Sequence, residues 1–128
     1  MGDGVVYVGS WGGSVYALDA KTGREQWSFV TNGAIFCSPA LVADVVYVGS
    51  WDTHLYALDA ASGMEQWRFA AGRAISASPA VVDGTVYIGS DDEHVYALEA
   101  ASGAERWRFA TNGVVSASPT VTDGVVYV

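Results

Sequence analysis

The chain has 128 residues, of which 51% are hydrophobic and 16% charged, so it is not intrinsically disordered and should bury a core within one domain. Fourteen acidic against six basic residues give a formal net charge of −8, which disfavours nucleic acid and other polyanions as partners. No run of 18 apolar residues is present, and Met1 leads straight into repeat sequence, so we expect neither membrane insertion nor a signal peptide in this chain.

A spacing of forty residues runs through the whole sequence. Glycine, leucine, tryptophan and Ser-Pro positions recur at this interval, and so do the tyrosines Tyr7, Tyr47, Tyr87 and Tyr127. A fixed period of about 40 residues indicates a repeat architecture, in which one supersecondary unit packs against copies of itself. We treat 1–128 as one segment, with repeats at about 4–43, 44–83 and 84–123 and the start of a further repeat at 124–128.

Each repeat is predicted to contain four short strands, which the third copy displays most clearly. Small and β-branched residues, polar turns and a last strand that alternates charged with aromatic residues support this assignment. The predicted strands of this copy are 76–82, 85–90, 94–99 and 104–110. Applied to the whole chain, the pattern predicts thirteen strands and no helix of useful length.

The turn between the first two strands carries a hairpin signal that one copy lacks. Asp83-Gly84 and Asp123-Gly124 are typical of tight hairpins, since glycine accepts a positive φ. Ala43-Asp44 stands at the corresponding place without glycine, so we expect a different turn there. Four antiparallel strands per forty residues form one propeller blade. The predicted fold is therefore all-β, a β-propeller of four-stranded antiparallel blades whose ring is incomplete in one chain.

A motif in each repeat resembles a known propeller family. Residues 17–27 read Ala-Leu-Asp-Ala-Lys-Thr-Gly-Arg-Glu-Gln-Trp, and closely similar stretches occupy 57–67 and 97–107. They resemble the tryptophan-docking motif of pyrroloquinoline-quinone (PQQ) type propellers. The resemblance implies that the tryptophan packs between neighbouring blades against the backbone of the glycine. The residues with this structural role would be Trp27, Trp67, Trp107, Gly23, Gly63 and Gly103.

Little more than three repeats are present, whereas propellers use typically four to eight blades. Residues 3–8 and 123–128 are the same hexapeptide, Asp-Gly-Val-Val-Tyr-Val, so the two ends are in phase. We therefore expect a homo-oligomer, preferably a dimer. Its ring would have about eight blade positions with shared blades, or about six if the overlapping strands exclude one another.

The resemblance also raises the question of an enzyme. Quinoprotein dehydrogenases hold PQQ between a tryptophan and a vicinal pair of cysteines, beside a metal with Glu, Asn and Asp around it. This chain has only Cys37, for which a small buried residue is the favoured interpretation. We predict no enzyme activity and no cofactor, and keep as an alternative a quinoprotein fragment whose cofactor residues lie on missing blades.

Residues that break the repeat mark a candidate binding face. They lie in the turn between the second and third strands and in the connection between repeats, which should share one face of a propeller. Exposed tryptophans can anchor a protein partner, although they could equally cover the end of the channel. The two histidines with nearby acids could hold a metal, but solvated turn residues are the favoured interpretation. The candidate residues are Trp11, Trp51, His54, Arg73, Asp92 and His94.

The sequence thus predicts a non-catalytic scaffold that self-associates and presents loops to a possible protein partner. Besides the quinoprotein fragment, an amplified or engineered repeat with no function beyond self-assembly stays open. The cellular compartment is not predicted, although the resemblance is to a family that is often exported or periplasmic.

Overall fold

A computed structural model describes residues 4–115 and 118–128 of the chain. The described residues form thirteen β-strands and no helix, so none of them belongs to a helix that could cross a membrane. The first sheet has three strands in the order β1-β2-β3. These strands are β1 (Val5–Gly9), β2 (Ser14–Asp19) and β3 (Glu25–Val30).

Two four-stranded sheets follow, each with its strands in chain order. The first contains β4 (Ala40–Val42), β5 (Val45–Gly49), β6 (His54–Asp59) and β7 (Glu65–Ala70). The second contains β8 (Ala80–Val82), β9 (Thr85–Ser90), β10 (His94–Glu99) and β11 (Glu105–Ala110). A last pair consists of β12 (Thr120–Thr122) and β13 (Val125–Tyr127). All neighbouring strands are antiparallel.

The sheets are the blades of a propeller segment, as predicted. We call them blade 1 (β1–β3), blade 2 (β4–β7), blade 3 (β8–β11) and blade 4 (β12–β13), and name the strand positions a to d. The a strands β4, β8 and β12 lie beside one another, as inner strands around a common axis do. The described residues do not close a ring, so the prediction of an all-β, incomplete propeller is confirmed.

The strand register is the same in every blade. In blade 2, Ala40 is opposite Tyr47 and Ala57 is opposite Trp67. The c–d pairing shifts by one residue after this point in blades 1, 2 and 3, as in a β-bulge. The bulge re-aims the strand that carries the tryptophan, so each copy presents this side chain in the same way.

The core lies between blades rather than inside any one of them. One buried cluster joins blade 1 to blade 2, and a second, equivalent cluster joins blade 2 to blade 3. The b and c strands are buried on both faces in blades 2 and 3, which explains their continuous apolar sequence. Each junction therefore depends on the neighbouring repeat, and one blade alone would bury little apolar surface.

The a strands are shorter than the sequence suggests. We predicted a strand over 76–82, but β8 begins only at Ala80. Pro79 lacks an N–H and restricts Ser78 before it, so ladder pairing starts after the Ser-Pro pair. The preceding residues form the connection that crosses from one blade to the next, and they bury Ile75 at 0% exposure.

The prediction of a different turn at Ala43-Asp44 is wrong. Ala43 and Asp44 have φ values of 52° and 64°, whereas Asp83 and Gly84 have 49° and 76°. In both hairpins the pairing resumes at once, for example between Val42 and Val45. The strand register thus imposes the same left-handed turn on a sequence without glycine, at a cost in local backbone strain.

Candidate functional site

The junction between blades 1 and 2 is built on a tryptophan lying against a glycine. The indole Nε1 of Trp27 donates a hydrogen bond of 2.8 Å to the carbonyl oxygen of Ala60. A Cβ atom placed at Gly63 would lie 2.5 Å from the Trp27 ring, so only glycine leaves room for it. The equivalent residues of the next junction are Trp67, Ala100 and Gly103, with a hydrogen bond of 2.8 Å and a Cβ approach of 2.4 Å.

The glycine is held in place by the turn that contains it. The Asp59 carboxylate accepts hydrogen bonds from the backbone N–H of Ser62 at 3.0 Å and from its hydroxyl at 2.8 Å. The N–H of Gly63 donates to the Asp59 carbonyl at 2.7 Å, and Gly63 has a φ of +77°. The repeated Asp-x-x-Thr/Ser-Gly pattern is thus a tight c–d turn that places a bare backbone under the neighbouring tryptophan.

The same two surfaces are present, but uncovered, at opposite ends of the described chain. Trp107 is 42% exposed, whereas Trp27 and Trp67 are 8% and 9% exposed. At the other end, no described atom outside its immediate neighbours lies within 4 Å of a Cβ placed at Gly23. Phe109 on β11 is also exposed, while its equivalent Phe69 packs edge-on against Tyr96 of the next blade. One end therefore has the tryptophan side of a junction, and the other has the glycine side.

The b–c turns and the connections between blades form one face, which we call the loop face. Trp11 and Trp51 lie in b–c turns, and Phe36 lies in the connection between them. The ring centroids of Trp11 and Phe36 are 5.0 Å apart, and those of Phe36 and Trp51 are 4.4 Å apart. The exposed fractions are 77% for Trp11, 39% for Phe36 and 48% for Trp51. These three residues, the aromatic row, are a continuous exposed apolar surface.

Sequence reasoning selected Trp11 and Trp51 but missed Phe36. Phe36 departs from the repeat, since Ser76 stands at the equivalent position in the next copy, and this difference could have identified it. Ser76 contacts Trp51 through a hydrogen bond instead of a ring, since its hydroxyl accepts from Trp51 Nε1 at 3.0 Å. The connection between blades thus contributes to the face in both copies, by ring contact in one and by hydrogen bonding in the other.

Asp92, another candidate residue, ties its turn to the preceding connection. Its carboxylate accepts hydrogen bonds from the N–H of His94 at 3.1 Å, from the N–H of Gly72 at 2.9 Å and from the Tyr96 hydroxyl. Burial opposes the charge, but the hydrogen bonds outweigh it and hold the pKa of Asp92 below its ordinary value. Burial, with the Asp92 carboxylate beside it, raises the pKa of Tyr96 to about 12. This arrangement recurs around Asp52.

The histidines belong to these same turns. The Nδ1 atoms of His54 and His94 lie 3.1 and 3.0 Å from the carbonyl oxygens of Asp52 and Asp92, two residues earlier. Within the part of the chain that the structure describes, no group of three His, Cys, Asp or Glu side chains could hold a metal ion. Arg73 is exposed in the connection between blades 2 and 3. Of the candidate residues, Trp11 and Trp51 are therefore connected through Phe36, and each histidine ring contacts a carbonyl of its own turn.

Comparison with known proteins agrees with this geometry. A family model described as outer membrane protein assembly factor BamB matches residues 1–74 and, a second time, residues 52–128. The chain belongs to this PQQ-like β-propeller family. Among solved structures, BamB from Moraxella catarrhalis is 30% identical with a TM-score of 0.83, and the alignment covers 94% of this chain but 38% of that one. No curated protein matches the chain.

Two enzymes of the same fold are also similar. Quinohemoprotein alcohol dehydrogenase from Comamonas testosteroni is 30% identical, with a TM-score of 0.75 over 84% of this chain and 20% of that one. Quinohemoprotein alcohol dehydrogenase ADHIIG from Pseudomonas putida HK5 is 33% identical, with a TM-score of 0.76 over 84% of this chain and 19% of that one. The chain thus spans well under half of the length of each relative.

The residues of this chain do not fit the PQQ site that the dehydrogenases suggest. A vicinal cysteine pair is impossible, because Cys37 is the one cysteine in the sequence. Its Sγ is buried against the backbone of Gly49, 3.3 Å from both the N and the O atom, and burial raises the pKa of the thiol. The side chain fills a junction between blades, which agrees with the small buried residue predicted for this position.

Proposed function

We propose that the chain is a non-catalytic propeller scaffold that pairs with a second copy of itself and presents the loop face for protein binding. The observation that carries the proposal is the pair of complementary uncovered faces, with Trp107 at one end and Gly23 at the other. An exposed junction surface of this kind is stabilised when a partner covers it. Blades supplied by the same polypeptide would cover these faces equally well, and the experiment below separates the two sources.

The pairing would reuse contacts that already occur within the chain. Trp107 of one copy would lie on Gly23 of the other, with its Nε1 donating to the carbonyl of Ala20, as Trp27 does with Ala60. Phe109 would meet Tyr16 in the way that Phe69 meets Tyr96. Such a head-to-tail contact forms a closed assembly only if the rotation between copies closes, and a dimer is the smallest one that does so.

The edge strands support the same arrangement. Among the described residues, blade 1 has no a strand, and blade 4 consists of the a strand β12 and the b strand β13. Thr120 is opposite Tyr127 in blade 4, and Tyr7 occupies the equivalent place in the identical hexapeptide of blade 1. Strand β1 of a second copy would therefore replace β13 beside β12, in the register that Ala40 and Tyr47 already use, because the two b strands have the same sequence. Covering these edges would also protect them from unspecific pairing.

A non-catalytic role is supported by what the polar side chains of the loop face do. The Asp52 and Asp92 carboxylates are engaged by backbone N–H groups and tyrosine hydroxyls, and the histidine rings lie against their own turns. The matching family is described as an assembly factor for outer membrane proteins, which supports protein binding rather than chemistry. We propose this general role for the chain and name no particular partner protein.

Light scattering on the purified chain over a range of concentrations tests the self-association. The expected mass is about twice the 13.4 kDa of one chain. Trp107→Ala should shift the equilibrium to single copies, since a central tryptophan contributes about 2 kcal/mol or more to an interface, which is at least about 30-fold in the dissociation constant. Met64→Ala is the matched control, because Met64 is an exposed apolar residue in a c–d turn away from both ends.

A single-copy mass for the wild type at all concentrations would reject pairing with a second copy and would favour blades from a longer polypeptide. Equal dimer formation by Trp107→Ala and Met64→Ala would reject the tryptophan contact as its basis.

A further inference from the structure

The aromatic row on the loop face points to a definite kind of partner. We propose that Trp11, Phe36 and Trp51 bind an extended peptide segment in which apolar side chains alternate with lysine or arginine. The proposal rests on the protein-binding part of the proposed function, and it does not depend on self-association.

The row stays accessible when neighbouring blades are in place. Trp51 has blade 1 on one side and blade 3 on the other, and about half of its side chain remains exposed. Completing the ring beside Trp11 would give it a neighbouring blade on both sides, as Trp51 already has, and Trp51 stays exposed in that setting. Exposed aromatic side chains in a continuous row are uncommon on a surface without a partner, and tryptophan is enriched at binding hot spots.

The orientation of the rings favours side chains that insert between them. The planes of Trp11 and Phe36 are inclined by 59°, and those of Phe36 and Trp51 by 51°. Tilted rings form ridges and notches rather than a flat platform, so they suit branched apolar side chains better than a stacked sugar ring. The Trp51 ring is fixed by its Nε1 hydrogen bond to Ser76, which lowers the entropy cost of binding.

The charges around the row favour a basic partner. Apart from the two histidines, the only basic residue in the b–c turns and connections is Arg73, against four acidic residues in the turns, and the whole chain has a formal net charge of −8. Asp91 lies at the end of the row, with its Oδ1 atom 3.5 Å from the Ser76 hydroxyl that holds Trp51. The four acidic residues are Asp52, Asp91, Asp92 and Glu93.

Rings and carboxylates together specify the sequence pattern of the peptide. An extended peptide directs alternate side chains to opposite sides, so a segment that lies along the row can place apolar groups between the rings and a cation over Trp11 or beside Asp91. A cation over a tryptophan face is attracted by the negative potential of the ring. The same acidic residues repel polyanions, which argues against nucleic acid and anionic lipid as occupants.

A titration with three short fluorescein-labelled peptides tests the proposal. The first alternates leucine and arginine, the second has glutamate in place of arginine, and the third has serine in place of leucine. Fluorescence anisotropy of the label gives the dissociation constant. A peptide-induced change in tryptophan emission that is reduced in Trp51→Ala reports on the row, because Trp27, Trp67 and Trp107 also emit. The leucine–arginine peptide should bind most tightly, and the dissociation constants of the other two peptides should be at least about tenfold higher.

Variants assign the binding to the row. Trp51→Ala should weaken binding of the leucine–arginine peptide about tenfold, and Asp91→Asn about threefold, whereas Met64→Ala should leave it unchanged. Trp51→Phe keeps an aromatic ring in the row and should therefore recover part of the affinity that Trp51→Ala loses. A melting curve for each variant checks that the fold is kept.

Equal binding of the three peptides, or no binding by the first, would overturn the proposal. So would an equal affinity of Trp51→Ala and Met64→Ala, or binding to phosphatidylserine vesicles in preference to the peptide. The mass of the same sample separates this test from the self-association. A single-copy protein that binds the peptide leaves this inference standing, and a two-copy protein that does not bind it removes this inference alone.

Discussion

At the scale of single residues, the glycine of the c–d turn meets two separate demands. Gly63 adopts a φ of +77°, which an L-amino acid reaches only with strain, and it also leaves space for the Trp27 ring. Gly84 in an a–b turn has almost the same φ, +76°, but no described atom other than its chain neighbours lies within 4 Å of its would-be Cβ. Substituting alanine at the two positions therefore separates the energy cost of backbone strain from the energy cost of a clash with the tryptophan ring.

Gly63→Ala should therefore destabilise the protein more than Gly84→Ala. Both substitutions introduce the strain of a positive φ, about 1–2 kcal/mol. Only the Cβ at position 63 meets the tryptophan ring, and overpacking of this kind costs about 1–3 kcal/mol more. Urea unfolding of the two variants measures the difference. Equal losses of unfolding free energy would show that the ring contact contributes nothing.

The resemblance of the repeated motif to the tryptophan-docking motif implied a contact between tryptophan and glycine of neighbouring blades. It could not predict Phe36, whose importance comes from a ring contact with Trp51 across two blades. Nor could it show that Asp92 is engaged within its own turn, since the donors are backbone N–H groups and a tyrosine from other parts of the repeat. Such contacts depend on the pairing register, which the residue types alone do not state.

At the scale of elements, the b–c turns of blades 2 and 3 are fastened by an aspartate, and that of blade 1 is not. Asp52 and Asp92 each bridge the turn to the preceding connection, while Gly12 stands at the equivalent position in blade 1. The turns next to Trp51 are therefore held more firmly than the turn that carries Trp11. Because both aspartates accept these hydrogen bonds as carboxylates, the stability of the two junctions depends on their ionisation.

The protein should lose stability in acid because of these two residues. The pKa values of Asp52 and Asp92 are lower in the fold than the value of about 3.9 in an unfolded chain. Their contribution is therefore complete above about pH 4 and is lost as the pH falls through the lower, folded values. The double variant with Asp52→Asn and Asp92→Asn should be less stable at neutral pH and should lose less stability on acidification.

Urea unfolding of wild type and double variant between about pH 6 and pH 3 measures this effect. Parallel curves would contradict the assignment, since they would mean that other groups account for the acid sensitivity.

Among the elements, the b and c strands were predictable because burial on both faces gives continuous apolar runs. The a strands were predicted too long, since small residues at 76–79 favour a strand until Pro79 interrupts the ladder. The turn at Ala43-Asp44 was misjudged for the opposite reason. Local sequence argued against a tight hairpin, and the register of β4 with β5 imposed it.

At the scale of the whole molecule, one junction geometry explains both the fold and the proposed assembly. Each blade is stabilised by its neighbour through the same tryptophan, glycine and carbonyl, and two clusters of buried residues repeat with that geometry. A period of forty residues was sufficient to predict this architecture. The number of copies in a complete ring could not be predicted, because nearest-neighbour contacts are the same wherever the ring closes.

The orientation of the proposed dimer can be tested by mixing two defective chains. In a head-to-tail pair, Trp107→Ala damages the tryptophan side of each interface and Gly23→Ala damages the glycine side. A mixed pair has one intact interface, with Trp107 from one chain and Gly23 from the other. Gly84→Ala is the control for Gly23→Ala, because it introduces the same backbone strain at a site where no tryptophan ring lies against the glycine.

The most direct measurement is therefore the light-scattering mass of an equimolar mixture of Trp107→Ala and Gly23→Ala, beside each variant alone at the same total concentration. A head-to-tail junction should give mainly single copies for each variant alone and recovery of two-copy mass in the mixture. A mixture with the mean mass of its separate components would contradict the head-to-tail junction, and with it the claim that these two faces recognise each other.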